Sequence, residues 1–201
     1  MRRSVVLLVF LLVGYCSQAQ VNAGIALGLN LSKMSHEGTS EFEVMCMGGH
    51  VNIPINFTLY NQDKIKLGLQ PEIELAQKGS KEAEDTISVS LVTNYVGLPL
   101  MLKAQYGEGA VRPFVNLGPS LSYHLMYYSI SKINNKFSNS EAASPDKTYM
   151  NVMDFGFNVG AGCNFSSFML EVRYGIGFSN VFKDVTSKNR VLSFSLGYLI
   201  P

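Results

Sequence analysis

Apolar and polar residues alternate one by one along most of this chain, and this period of two constrains its fold more than any other feature. The clearest case is the run in which Phe168, Leu170 and Val172 alternate with Glu171 and Arg173. Successive side chains of a β-strand point to opposite faces, so each such segment predicts a strand with one apolar and one polar face. The pattern therefore predicts an all-β fold.

Eight segments carry this alternation, and they span residues 24–31, 50–57, 65–78, 87–104, 113–127, 151–165, 168–178 and 191–200. The fourth segment changes parity near residues 95–97, where we predict a β-bulge. Short joins at 60–64, 107–112 and 166–167 alternate with longer polar joins at 35–43, 79–86, 129–149 and 180–189. Because outer-membrane barrels have short periplasmic turns and longer outer loops, we predict an eight-stranded antiparallel up-and-down transmembrane β-barrel with periplasmic termini.

The first residues have the features of an export signal. Arg2 and Arg3 precede an apolar run, and Ser17 and Ala19 place small residues at a cleavage site, so we predict that residues 1–19 are a cleaved signal peptide. Residues 20–201 then form one barrel domain. They contain no apolar run of the roughly 18 residues that a membrane-spanning helix needs. The formal net charge of +1 gives no reason to expect binding to nucleic acid.

Alternation by itself does not say which face is inside. A soluble exported barrel would turn its apolar face inward around a ligand, and this alternative stays open at the level of the pattern. Only 15% of the residues are charged, against roughly 25% in an ordinary soluble domain. The polar face is also rich in Gly and Ser, which suit a narrow, filled lumen, so we predict that the apolar face contacts lipid.

The charged residues on the predicted inner face are candidate functional residues. They are Lys66, Glu72, Glu74, Asp154, Glu171 and Arg173. We predict that they form a lumen charge network that fills the barrel, because buried charges are tolerated only when they are paired. A narrow gated pore is the alternative. His50 and His124 also fall on the inner face and are expected to be lumen side chains rather than metal or pH-sensing sites. We predict no metal, no cofactor and no enzymatic activity.

Aromatic residues near strand ends predict the membrane interfaces, where amphipathic rings form girdles. The predicted aromatic girdle consists of Tyr95, Tyr123, Tyr127, Tyr174 and Tyr198. The polar loop at 129–149 is the longest and the best place for contact with another envelope protein. We expect a monomer whose main partner is the lipid of the outer membrane.

Several stretches resemble one family. Residues 69–79 (LQPEIELAQKG), 95–103 (YVGLPLMLK), 113–119 (PFVNLGP) and 170–174 (LEVRY) occur in an order that resembles the PorT-like outer-membrane β-barrel family. The resemblance implies an integral protein of the outer membrane of a Gram-negative-type envelope. Named members of that family assist secretion in the envelope, but the resemblance implies a location more than an activity. We predict a non-catalytic protein with a structural or envelope-assembly role that acts through its outer loops.

Overall fold

The computed structural model describes residues 21–36, 44–84, 87–133, 136–146, 148–183 and 186–200, and they form one antiparallel sheet. The strands are β1 (Val21–His36), β2 (Val44–Gln62), β3 (Ile65–Glu84), β4 (Ile87–Tyr106), β5 (Val111–Ile133), β6 (Lys136–Ala143), β7 (Met153–Phe165), β8 (Phe168–Asn180) and β9 (Ser187–Ile200). No helix in these residues is long and apolar enough to cross a membrane.

Eight of these strands close into a ring. Each pairs with its neighbour in the order β1, β2, β3, β4, β5, β7, β8, β9, and β9 pairs back with β1 from Ala23↔Ile200 to His36↔Ser187. Closure leaves no ring strand with an unpaired edge, which is what a sheet in lipid requires, because lipid offers no hydrogen bonds. The predicted eight-stranded antiparallel barrel is confirmed.

Tight turns gather at one end of the ring, which we call the turn end. Asp63 and Lys64 join β2 to β3 with φ angles of 50° and 66°, as expected for a two-residue hairpin whose backbone twist matches its strands. Ser166 has a φ of 55° in the β7–β8 turn, and its N–H donates to the carbonyl of Ala110 in the next turn. The ends of the described chain, Val21 and Ile200, lie at this end too.

The opposite end, which we call the loop end, differs from the prediction. The predicted loop at 79–86 is largely strand, since β3 runs to Glu84 and β4 begins at Ile87. Most of the predicted loop at 129–149 is also strand, because β5 runs to Ile133 and β6 pairs with it. Residues 79–84 (GSKEAE) show no alternation of apolar and polar residues, although their pairing with β4 continues to Glu84.

The predicted β-bulge in β4 was wrong, and the irregularity lies on β5. The pairing of β3 with β4 has no shift along its length. Asn94 is opposite Met126 whereas Tyr95 is opposite His124, so Leu125 on β5 is the extra residue. The parity change that the sequence shows in β4 instead reflects Leu91, which points inward and packs against an apolar cluster at the loop end.

The outer surface of the ring is an apolar band. Leu27, Leu98, Val115, Leu170 and Leu196 are each 49–58% exposed. The neighbours of these residues along each strand are buried inside. Apolar side chains outside and polar ones inside are the reverse of a soluble barrel, so the alternative of a soluble barrel with an inward apolar face was wrong.

Candidate functional site

An ion-paired network crosses the middle of the lumen. Both terminal nitrogens of Arg173 on β8 donate to Glu72 on β3, with Nη1 to Oε2 at 2.7 Å and Nη2 to Oε1 at 2.8 Å. Its Nε donates to Glu171 Oε1 at 2.8 Å. Since β3 and β8 are four places apart in a ring of eight, this contact joins opposite walls of the barrel.

Neutral side chains and a second cation extend the network to five strands. Asn52 donates to Glu72 at 3.0 Å, and Asn116 donates to Glu171 at 2.9 Å. The Nζ of Lys103 donates to Gln70 Oε1 at 3.0 Å, and the amide nitrogen of Gln70 in turn donates to Glu72. The Lys103 ammonium also lies 4.0 Å from the centre of the Phe114 ring. The lumen is therefore bridged by continuous hydrogen bonding.

Charge within this network is balanced. The carboxylates of Glu72 and Glu171 are fully buried, the side chain of Arg173 is 7% exposed, and Lys103 is 8% exposed. Two anions thus stand against two cations. Burial of a charge costs several kcal/mol unless a partner of opposite sign compensates it, so this balance is what allows four ionised groups to occupy one narrow lumen.

A second ion pair lies nearer the loop end. The Nζ of Lys78 is 3.5 Å from Asp154 Oδ2, and Asn189 donates to the same oxygen at 2.8 Å. The Lys78 ammonium also lies 4.7 Å from the centre of the Tyr95 ring, which stacks on His124 with ring centres 4.8 Å apart. Aromatic rings therefore cover one side of this pair.

The histidines are packed into the lumen. His50 has both ring nitrogens in hydrogen bonds, with Nδ1 2.8 Å from Asn30 Oδ1 and Nε2 2.8 Å from Ser195 Oγ. His124 is 1% exposed beneath Tyr95. Within the described ranges, no three His, Cys, Asp or Glu residues are grouped so that they could hold a metal ion.

Apolar layers lie on both sides of the charged lumen. Toward the turn end, Ala26, Phe114 and Met169 form a buried cluster, and Leu199 packs against it. At the loop end, a second cluster consists of Met34, Met150 and Val181, with Leu91, Tyr127 and Phe182 packed against it. Neither layer was predicted from the sequence. Phe114 and Met169 do fall on the polar parity of their strands, and that is the signal that could have found them.

The structure brings only some residues of the predicted charge network into contact with one another. Glu72, Glu171 and Arg173 are in direct contact, and Asp154 belongs to the separate pair with Lys78. Glu74 borders a small cavity of about 40 Å³ beside Lys78 and Asp154. Lys66 lies at the turn end instead. Lys78 and Lys103 were missed, although both stand on the inner parity of their strands.

The predicted aromatic girdle needs two corrections. Tyr123, Tyr174 and Tyr198 face outward and are 42–46% exposed. Tyr95 is 2% exposed and points into the lumen, because β4 keeps one parity without a bulge. Tyr127 also points inward, since the extra residue on β5 reverses the parity beyond it and turns this ring toward the loop-end cluster.

The segment after β6 is organised by its own backbone. The N–H of Thr148 donates to the Asp146 carboxylate at 2.8 Å, and this hydrogen bond holds the pKa of that exposed carboxyl below its ordinary value. The N–H of Met150 donates to the carbonyl of Asp146, and Met150 then pairs with Phe182. This part of the loop end is therefore tied to the barrel.

One protein family and several solved structures are similar to this chain. The chain matches the family described as outer membrane protein beta-barrel domain over residues 16–183. Solved structures similar to it include Ail of Yersinia pestis, at 15% identity and a TM-score of 0.46, with 90% of this chain and 99% of Ail covered. The outer membrane enzyme PagL is similar at 14% identity and a TM-score of 0.48, with 90% and 99% covered.

Neisserial surface protein A is similar at 12% identity and a TM-score of 0.42, with 89% of this chain and 98% of that chain covered. No curated protein sequence matches this chain significantly. The family match covers most of the chain and agrees with the closed ring and its apolar outer band. The chain therefore belongs to the outer membrane protein beta-barrel domain family, and it is an integral protein of the outer membrane of a Gram-negative-type envelope.

Proposed function

We propose that this protein is a closed, non-catalytic outer-membrane barrel that acts through its loop end rather than by conducting solutes. The observation that carries this proposal is the contact between Arg173 and Glu72, which joins opposite walls of the lumen with both side chains buried. An eight-stranded barrel has an interior only just wide enough for its own side chains. Here those side chains are joined by hydrogen bonds.

Four successive layers support a closed lumen. The charged network has the Ala26–Phe114–Met169 cluster on its turn-end side and the second ion pair on its loop-end side. Beyond that pair, the Met34–Met150–Val181 cluster is almost completely buried. An ion on the axis would have to displace both apolar layers and break the charge pairs between them. A filled structural lumen is thus favoured over a gated pore.

The loop end is the part of the molecule suited to a partner. β5 pairs with β7 only as far as Tyr123↔Met153, yet it continues for ten more residues and pairs with β6. The β5–β6 hairpin therefore extends beyond the pairing of β5 with β7, and it contains much of the predicted loop at 129–149. We place the loop end outside the cell and the termini in the periplasm, because short turns in such barrels are periplasmic.

The partner that we propose is another envelope protein, in line with the resemblance of residues 69–79 and 95–103 to the PorT-like family. The hairpin offers main-chain and polar contacts beyond the apolar band, and the barrel itself is a monomer surrounded by lipid. A rigid, filled barrel suits this role, because it fixes the position of the hairpin relative to the membrane.

Conductance in a planar bilayer tests the closed lumen. The refolded protein, with insertion verified by gel migration that changes on boiling, should give no discrete current steps. A matched variant with Glu72, Glu171 and Arg173 all replaced by Ala removes the charged bridge and serves as the comparison. Regular steps from the unaltered protein, or identical records from both proteins when both conduct, would contradict the proposal and favour a narrow gated pore.

A further inference from the structure

The turn end of the lumen contains a cavity of about 120 Å³. Seven of the eight ring strands contribute to its wall, β8 being the exception. Its volume exceeds the roughly 30 Å³ that one water molecule occupies in the liquid, so a group of several atoms fits. The cavity is thus a compartment of its own between the turns and the apolar layer that contains Phe114.

Three cations line this cavity. They are Lys66 on β3, Lys103 on β4 and Arg112 on β5, whereas no Asp or Glu is among the described residues of its wall. Lys103 is 8% exposed and is held in place by Gln70. Neither Lys66 nor Arg112 takes part in an ion pair within the described chain. Lys103 is balanced by the carboxylates of the charged network, whereas no carboxylate of the described cavity wall compensates Lys66 and Arg112.

The donors on the wall are partly fixed and partly unused. Arg112 donates through Nη2 to the carbonyl of Ser166, which anchors the guanidinium, while its buried Nε has no acceptor. Asn164 is 2% exposed and donates to Gln105 Oε1 at 2.6 Å, so the amide wall beside Arg112 is also fixed. A bound acceptor would therefore meet an oriented set of donors.

The charges on the wall indicate which sign of charge a ligand of this cavity would carry. Lys66, Lys103 and Arg112 place charges of one sign around a single partly enclosed space, in which charges are screened less than in bulk water. An anion in the cavity would be attracted by these like charges, and it would accept charge-assisted hydrogen bonds from guanidinium and ammonium donors. A guanidinium beside two ammonium groups matches the several oxygens of an oxyanion.

We propose that this turn-end cavity binds an oxyanion of the phosphate class. The polar lining side chains Lys103, Arg112 and Asn164 come from the inner face of the ring, so the cavity is reached along the barrel axis from the aqueous side. A soluble phosphate reaches it directly, whereas a phospholipid headgroup reaches it only by bending over the turns. This site shares Lys103 with the charged network and lies at the opposite end of the barrel from the loop end.

Calorimetric titration of the folded barrel with inorganic phosphate, in a non-ionic detergent and at low salt, tests the site. We expect one phosphate per barrel. The variant Lys66→Met/Arg112→Met should bind at least about tenfold more weakly, because two charge-assisted hydrogen bonds are lost. The single variants Lys66→Met and Arg112→Met should each bind phosphate with an affinity between those of the unaltered protein and the double variant. Gel migration and thermal unfolding show that each variant remains folded.

The matched control is Lys64→Asn, which removes a positive charge from the exposed turn at the same end without touching the cavity. It should change the affinity by less than about twofold, as is usual for an exposed charge. Absence of binding, an unchanged affinity in the double variant, or an equal loss in Lys64→Asn would each overturn the proposal.

Nanodiscs distinguish the two sources of phosphate. If the natural occupant is soluble, inorganic phosphate binds equally in discs of phosphatidylcholine and in discs that also contain phosphatidylglycerol. If a headgroup occupies the cavity, the anionic lipid competes and weakens the binding of free phosphate. Both results support an oxyanion site, and lack of binding in phosphatidylcholine discs contradicts it.

Discussion

Replacement of Arg173 by Met is the most direct test of how the lumen is stabilised. The variant removes the only group in contact with both Glu72 and Glu171 within the described network. Met has a similar length and no charge, so the change leaves volume nearly intact while it leaves two buried carboxylates without their cation. We expect a large loss of stability with the barrel fold retained.

The magnitude follows from burial. The carboxylates of Glu72 and Glu171 are fully buried, so solvent cannot take over the lost interactions. Removing one partner from a buried ion pair costs about 3–5 kcal/mol in free energy of unfolding. Arg173→Lys keeps the charge but loses the paired contact of the guanidinium with Glu72, so its loss should be smaller.

Urea unfolding of the barrel in detergent or vesicles, followed by heat-dependent gel migration, measures this loss. Lys33→Met is the matched control, since Lys33 is an exposed cation on β1. The double variant Arg173→Met/Glu171→Gln should recover part of the stability. The remaining charges are the carboxylate of Glu72 and the ammonium of Lys103, so the network again contains equal numbers of anions and cations.

Three results would refute this reasoning. The free energy of unfolding of Arg173→Met could lie within about 1 kcal/mol of that of the unaltered protein, which is the range of an exposed ion pair. Lys33→Met could lose as much stability as Arg173→Met. The added Glu171→Gln change could deepen the loss instead of reducing it, which would mean that hydrogen bonding rather than charge balance determines the stability of the lumen.

Two further predictions concern packing and orientation. Gly160→Val should lower the free energy of unfolding by about 1–3 kcal/mol in the same urea assay, because a Cβ there would lie 2.8 Å from Glu171 Oε1 and would also collide with the Asn116 amide. A Cys in place of the exposed Ser144 should react with an impermeant maleimide on intact cells, whereas one in place of Glu108 at the turn end should react only after lysis. The reverse pattern of labelling would contradict an external loop end, and a cross-linker on Ser144 would then identify the neighbour of the hairpin.

Much of the wall could be predicted from the sequence, because strand alternation is a local property. Phe168, Leu170 and Val172 face outward and Glu171 and Arg173 face inward as their parity requires. The turn at Ser166 and Ser167 could likewise be recognised from its place between two alternating segments. These features depend only on neighbours in the chain and on the period of a strand.

Alternation along one strand fails to predict which face a side chain occupies where a bulge alters its pairing with the next strand. Tyr95 and Tyr127 were assigned to the outer girdle, but the extra residue lies on β5 at Leu125 and not on β4. A bulge changes the relation between two strands, and one strand's own sequence does not show which of the pair carries it. The extension of β3 to Glu84 also escaped prediction, since residues 79–84 (GSKEAE) lack an alternation of apolar and polar residues.

By itself, the sequence determined the eight ring strands, the face of most side chains and the closed antiparallel barrel. Only the tertiary structure decided which inward side chains meet. Glu72 and Arg173 are 101 positions apart, and they touch because closure of the ring and the stagger of its strands bring β3 and β8 to the same height on opposite walls. The same closure pairs Lys78 with Asp154 and places Lys66 and Arg112 on the wall of one turn-end cavity, because the depth of a side chain in the lumen is a property of the whole ring.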